Sequence, residues 1–315
     1  MMKFALVFPG QGSQSVGMMG AYGESAIIRD TFAEASEALG RDLWQLVCEG
    51  PAEALAQTVN TQPLMLTAGI AVYRQWLDKG GPKPALVAGH SLGEYSALVA
   101  AGVLAFADAV PLVEFRAQAM QEAVPKGEGA MAALLGLDAD VVREACLEAA
   151  QGQCVEAVNL NAPGQIVIAG HAAAVARAND LAKARGAKRA VMLPVSAPFH
   201  CALMKPAADR LAERLATVVL MKPAIPVVNN VDVACYDDPA QIRDALVRQA
   251  FNPVRWIEIM QSMADRGVSQ VFECGPGKVL SGMAKRCDGR LTGGGMADTA
   301  SLQAALALVS TLVSA

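Results

Sequence analysis

The sequence has little with which to staple itself or to hold a metal. Its seven cysteines (Cys48, Cys146, Cys154, Cys201, Cys235, Cys274 and Cys287) form no CxxC pair. Metal-finger spacing is therefore excluded, no metal or organic cofactor is implied, and an odd, unclustered set fits reduced thiols in the cytoplasm. A basic excess is also missing: 26 Lys and Arg stand against 30 Asp and Glu, a net charge of −4. No nucleic-acid partner is expected, although a local basic patch can still hold an acidic partner. Long apolar runs are absent too. The charge-free stretch at the end, 299–315, carries Ser, Thr and Gln and reads as a packed C-terminal helix, with no membrane partner expected. The apolar start after Lys3 is cut short by Pro9-Gly10, too soon for a signal-peptide core. Aromatic residues make up only 5% of the chain, so the 53% apolar content is mainly Ala, Val and Leu; with charged residues at 18% this excludes disorder. A length of 315 residues points to about two domains.

Short apolar runs at 3–8 (KFALVF) and 85–91 (ALVAGHS) read as buried strands. Helical periodicity lies between and after them, over 25–46, 64–79 and 92–104. Strands alternating with helices predict a parallel sheet covered on both faces. From 126 to 195 the pattern changes. Strands at 129–137, 154–161, 165–170 and 190–195 and helices at 138–150 and 173–186 give the order β-α-β-β-α-β, with Ala162-Pro163-Gly164 as a hairpin turn. The chain then returns to helices at 204–218 and 239–250, strands at 225–228 and 268–275, and the C-terminal helix. The expected fold class is α/β. A large domain (1–125 and 196–315) carries the parallel sheet and is interrupted by a ferredoxin-like small domain (126–195).

Gly89-His90-Ser91-Leu92-Gly93 matches G-x-S-x-G, the nucleophile elbow, and has the apolar strand before it and the helix after it that the motif requires. The turn sets Ser91 at a helix N-terminus, where the dipole favours a developing oxyanion. A serine needs a base at neutral pH, and the chain offers three histidines. His90 adjoins Ser91 at a tight turn, where neighbouring side chains rarely face each other. His171 opens a helix of the inserted unit. His200, in SAPFH at 196–200, stands where the chain re-enters the large domain and is the base by elimination. No Asp or Glu lies in that segment, and about a third of the chain still follows it, unlike the usual hydrolase order of Ser, acid and late His. A backbone carbonyl is then a candidate for orienting the ring. The glycine-rich loop after the first strand, FPGQGSQ at 8–14, is no dinucleotide fingerprint, because Ser15 takes the third Gly position, and it has no P-loop Lys. It can supply a second oxyanion-hole N–H beside that of Leu92, or simply end the strand.

Taken together, FPGQGSQ (8–14), GHSLGEYSAL (89–98), Arg116, NAPGQIVIAG (161–170), SAPFH (196–200), QAFNPVRW (249–256) and ECGPGKVLSG (273–282) resemble the malonyl-CoA:acyl carrier protein transacylase family of fatty acid synthesis over essentially the whole chain. The related acyltransferase domains of polyketide synthases share most of these motifs, and a malonate decarboxylase subunit is a further alternative within the family. The resemblance implies an α/β-hydrolase-like large domain plus a ferredoxin-like small one, with the site between them. It implies Ser91 as the acylated nucleophile and His200 as general base and acid, oriented by the backbone carbonyl of Gln249. The oxyanion hole would come from the N–H groups of Gln11 and Leu92. Arg116 would bind the malonyl carboxylate, which a planar guanidinium holds with two parallel hydrogen bonds. An isolated helix Arg is otherwise a solvated one. Phe199 would fill the space of an α-methyl branch, or simply pack. Asn161 and Asn159 would lie near the cleft, with a turn-stabilising role as the alternative. The implied partners are malonyl-CoA and an acidic, phosphopantetheinylated carrier protein. Lys285 and Arg286, with Lys278, are one candidate contact, and Lys183, Arg185, Lys188 and Arg189 another, although most such clusters are solvated faces. A monomer is expected. The rival outside the family is a serine thioesterase or esterase, which shares the elbow but passes the acyl group to water.

Overall fold

The computed structural model describes residues 3–195 and 197–314; Ser196 of the SAPFH segment, Met1, Met2 and Ala315 lie outside the described residues. Nine strands are described: β1 (Lys3–Phe8), β2 (Leu86–Gly89), β3 (Gly129–Leu135), β4 (Val155–Ala162), β5 (Gln165–His171), β6 (Arg189–Met192), β7 (Val227–Val228), β8 (Val268–Cys274) and β9 (Thr292–Met296). They form two sheets. One is five-stranded in the order β7-β2-β1-β8-β9 and parallel throughout. The other is four-stranded and antiparallel in the order β4-β5-β3-β6, the ferredoxin-like arrangement that the β-α-β-β-α-β pattern predicts.

β1 lies at the centre of the parallel sheet and is buried on both faces, as its unbroken apolar run requires. Alternate side chains point to opposite faces. Phe4, Leu6 and Phe8 pack under the helices Ala26–Leu39, Thr58–Asp78 and Phe106–Glu122, while Ala5 and Val7 meet Trp256–Asp265 and Val279–Cys287. The small sheet buries Ala132, Leu134, Ile166 and Ile168 against the helices Ala139–Ala150 and Ala172–Ala184. Its other face, with Met131, Val167 and Ala169, turns toward Phe199 and Cys201. The small sheet is stitched to the segment just before the helix Trp256–Asp265, where Leu160 N–H donates to the Val254 carbonyl (3.0 Å) and Val254 N–H to the Val158 carbonyl (2.8 Å).

Two local readings change, and one strand has no sequence reading. The expected helix over 25–46 is two, Ala26–Leu39 and Leu43–Glu49; the break falls at Gly40, and Asp42 caps the second helix through Gln45 N–H (2.8 Å). The helix expected from 64 begins at Thr58 and carries Pro63 inside it. Proline removes one helix hydrogen bond, and the Val59 carbonyl four residues earlier accepts from Arg41 Nη2 instead (3.3 Å). β9 reads TGGGM, which has no apolar alternation to announce a strand; a Cβ on Gly293 would overlap the Ser281 carbonyl of the helix packed on it. The helices Phe106–Glu122, Trp256–Asp265 and Val279–Cys287 also lie outside the sequence reading. The C-terminal helix Thr299–Ser314 buries Leu302, Ala305 and Val309, and among the described residues no helix is long and apolar enough to cross a membrane.

Candidate active site

β2 ends at Gly89 and the helix Gly93–Ala100 begins four residues later. The turn between them is held from both sides. His90 N–H donates to the Phe8 carbonyl (3.0 Å) and Gly93 N–H to the His90 carbonyl (2.9 Å). A Cβ on Gly89 would overlap the Gly93 backbone, and one on Gly93 the Phe8 carbonyl, so neither position tolerates a side chain. Ser91 at the apex has φ 52°, the left-handed region that costs an L residue about 1–2 kcal/mol. Such a conformation persists only where its surroundings over-determine it. Here Ser91 N–H donates to Asn230 Oδ1 (2.7 Å), and the Ser91 carbonyl accepts from Glu94 N–H (3.1 Å) and from Gln249 Nε2 (2.9 Å).

The Ser91 hydroxyl lies 2.7 Å from His200 Nε2. On the other side of the ring, Nδ1 lies 2.8 Å from the Gln249 backbone carbonyl. A carbonyl only accepts, so Nδ1 carries the proton and Nε2 presents its lone pair to the hydroxyl. His200 is buried at φ 67°. Burial, and then the charge of Arg116, push its pKa from 6.5 down to about 3, so the ring is neutral at physiological pH.

Arg116 projects from the helix Phe106–Glu122 and is only 2% exposed, so it is no solvated surface cation. Its Nη1 donates to Gln62 Oε1 (2.8 Å), and its Nη2 to Gln249 Oε1 (2.9 Å) and Ser91 Oγ (3.2 Å). The Cζ stands 5.3 Å from the Tyr95 ring centroid. All three hydrogen-bond acceptors are neutral, and Nε has no partner among the described residues. A buried cation with neutral partners is a seat for an anion. One carboxylate belongs to the same network. Glu94, buried, accepts through Oε2 from Asn230 N–H (3.0 Å) and Gln249 Nε2 (2.9 Å), and burial pushes its pKa from 4.5 up to about 7.

These groups open onto a cleft of about 320 Å³ between the C-terminal ends of the parallel strands and the small sheet. Gln11, Ser91, Leu92, Arg116, Phe199 and His200 line it together. Asn161 does not: its Oδ1 lies 2.7 Å from His90 Nε2, and Asn159 is the asparagine of β4 that faces the cleft. The His90 ring turns away from Ser91, toward Asn161 and Trp256 (centroids 5.5 Å apart). Lys285 and Arg286 sit on the helix Val279–Cys287; Arg286 donates to Gln165 Oε1 (2.8 Å) and the Pro163 carbonyl (3.2 Å) at the β4–β5 turn. Sequence reasoning did not single out Gln62, Glu94 or Asn230. Asn230 carried one usable signal, a polar residue just after a short apolar strand, where open α/β sheets gather their sites.

Comparison with known proteins agrees with this geometry. The family model for the acyl transferase domain matches residues 5–287. The malonyl CoA-acyl carrier protein transacylase of Escherichia coli (strain K12) is 58% identical over 309 residues, covering 98% of this chain and 100% of that protein. The crystal structure of the acyl-carrier-protein S-malonyltransferase from Burkholderia pseudomallei 1710b superposes with a TM-score of 0.96 at 61% identity, covering 97% of this chain and 100% of that one. A malonyl-transacylase solved in complex with its type II PKS acyl-carrier protein superposes at 0.95 with 54% identity, covering 97% and 99%. A serine elbow, a buried guanidinium beside it and this likeness over nearly every residue agree: the chain belongs to the acyl transferase family, among its malonyl CoA-acyl carrier protein transacylases.

Proposed function

We propose that this chain transfers the malonyl group of malonyl-CoA to the phosphopantetheine thiol of acyl carrier protein, for fatty acid synthesis, through an ester on Ser91. One observation carries the reading: the same hydroxyl that meets the base His200 also lies 3.2 Å from the Arg116 fork. A malonyl thioester has its free carboxylate two carbon–carbon bonds from the carbonyl that reacts. A nucleophile beside a buried cation suits that spacing, and the cation gives acetyl nothing to pair with.

In the first step Ser91 Oγ attacks the thioester carbon and its proton passes to His200 Nε2. The Gln249 carbonyl keeps the ring in the right tautomer, and the backbone N–H groups of Gln11 and Leu92 receive the oxyanion. Collapse breaks the carbon–sulfur bond, and the departing CoA sulfur takes the proton from His200. In the second step the carrier's thiol gives its proton to His200 and attacks the ester. Ser91 leaves and takes the proton back. Ping-pong kinetics follow. Phe199 limits the width of the cleft beside the acyl carbon.

Lys285 and Arg286, at the junction of the two sheets, are our candidates for the contact with an acidic carrier. We read the chain as a large domain (1–125 and 196–315) interrupted by a small one (126–195), a division that the two sheets support. We also read it as a cytoplasmic monomer, since one chain supplies every residue of the site and its seven cysteines are unpaired. The test is intact-mass analysis after malonyl-CoA, then after addition of phosphopantetheinylated carrier. One malonyl should appear on Ser91, be absent in Ser91→Ala, and leave when the carrier is added. Rapid loss to water alone would overturn transfer in favour of hydrolysis.

A further inference from the structure

The Ser91 peptide is gripped at both ends by side-chain amides, and the two residues that carry them are both bonded to one oxygen. Asn230 Oδ1 takes the Ser91 N–H, and its Nδ2 donates to the Gly89 carbonyl (2.7 Å). Gln249 Nε2 donates to the Ser91 carbonyl. The Asn230 backbone N–H and the same Gln249 Nε2 both donate to Glu94 Oε2. Asn230 and Gln249 are completely buried and Glu94 is 2% exposed, so no solvent is at hand to replace a lost partner.

We propose that Glu94 is a positioning residue for acyl transfer, acting as a double acceptor that fixes the Asn230 backbone and the Gln249 amide, and through them Ser91, Arg116 and His200. This rests on the assignment of Ser91 and His200 above. Gln249 makes three contacts that matter. Its Nε2 faces two acceptors, Glu94 Oε2 and the Ser91 carbonyl, so its Oε1 is left facing Arg116 Nη2. A flipped amide would set NH₂ against a guanidinium and an oxygen against two oxygens. Glu94 therefore decides that Arg116 meets an acceptor on this side. The backbone carbonyl of the same Gln249 holds His200 Nδ1. Movement of the Gln249 side chain thus reaches the nucleophile, the base and the anion seat together. What this role requires at position 94 is an oxygen in the right place. A protonated carboxyl, or a glutamine amide, still offers one.

The experiment is single-turnover malonylation of Ser91 in the full chain, with rate and malonyl-CoA dependence measured separately for Glu94→Gln, Glu94→Asp and Glu94→Ala. Misplacing a catalytic group by about 1 Å costs on the order of 100-fold. Glu94→Asp keeps the charge but withdraws the oxygen from both donors; it should lose about that factor in the maximal rate, with half-saturation changed less than about threefold. Glu94→Ala should lose at least as much where it folds. Glu94→Gln should recover most of the rate, to within about fivefold, since one weakened hydrogen bond is worth about 1 kcal/mol. The opposite order, with Asp fast and Gln slow, would show that charge and not position matters, and would overturn the proposal. So would wild-type rates in all three variants, or losses that only track the folded fraction. Absence of malonate from Ser91 in the unmutated chain would overturn the reading of the site itself, and this inference with it.

Discussion

Glu94 and His200 are buried in one network with their proton affinities displaced in opposite directions, from 4.5 up to about 7 and from 6.5 down to about 3. Both displacements bear on stability. Between pH 4.5 and 6.5 the unfolded chain binds a proton at His200 that the native chain refuses, so this group makes stability rise with pH. In the same window the native chain holds a proton at Glu94 that the unfolded chain has released, so this group makes stability fall with pH. At full separation each slope is about 1.4 kcal/mol per pH unit, and across the window each amounts to about 2 kcal/mol. The two cancel. Glu94→Gln removes one and exposes the other. Its stability relative to the unmutated chain should therefore climb by about 2 kcal/mol from pH 4.5 to 6.5. Taking the difference removes the other buried titrating groups, such as His90 and Glu273, which keep their environments in both proteins. Urea unfolding followed by tryptophan fluorescence at several pH values measures it. A difference that stays flat with pH would show that Glu94 titrates at its ordinary value, and one that falls that it titrates below it; either way the electrostatic account of the site would fail.

Three further outcomes are expected. On the proposed reading, Arg116→Ala would remove two charge-assisted hydrogen bonds to the malonyl carboxylate, each worth about 1.5–3 kcal/mol; kcat/KM for malonyl-CoA should fall at least about 100-fold more than for acetyl-CoA, and equal losses would make Arg116 a packing residue. Gly93→Ala places a methyl on the Phe8 carbonyl and should yield little folded protein; a stable, active variant would contradict the elbow geometry. Charge reversal at Lys285 and Arg286 should raise the KM for carrier protein and leave malonylation of Ser91 by malonyl-CoA unaffected, and unchanged carrier transfer would remove that patch from consideration.

Much of the fold is legible because its signals are local. Buried parallel strands appear as unbroken apolar runs, the β4–β5 hairpin as Pro-Gly between two such runs, and the elbow as glycines on either side of Ser91. Ser91 and His200 follow from a motif and from a short count of histidines. What stays hidden has little or no local mark. β9 is mostly glycine: the helix backbone at Ser281 crowds Gly293, and the Phe272 and Lys278 side chains crowd Gly294 and Gly295. The group that orients His200 is a main-chain carbonyl, which every residue has, so no residue type announces Gln249. Gln62, Glu94 and Asn230 come from three distant segments, and their function is to satisfy one another's hydrogen bonds. Nothing in the order of residues states that convergence. For Asn161 the family pattern points to the cleft, but packing gives its oxygen to His90.

A base held down to about 3 is a weak one, and that weakness bears on where the acyl group goes. A thiol ionises near 8.5 and water near 15.7, so His200 needs far less strength to take a proton from a thiol than from water. The neutral Gln249 carbonyl behind the ring raises it, but by less than burial and Arg116 lower it. The two largest causes that hold the base down are burial, which every substrate shares, and the charge of Arg116, which a malonyl carboxylate offsets and an acetyl group does not. His200 should therefore be a stronger base in the malonyl-enzyme than in the acetyl-enzyme. The difference can be read from the discharge of each acyl-Ser91 by a small pantetheine thiol as a function of pH. The acid limb of the rate should lie at higher pH for malonyl, because the ring protonates more readily there. Coincident limbs would mean that the guanidinium charge does not reach His200, and the preference for a thiol over water would then rest on how the cleft positions the acceptor and not on the strength of the base.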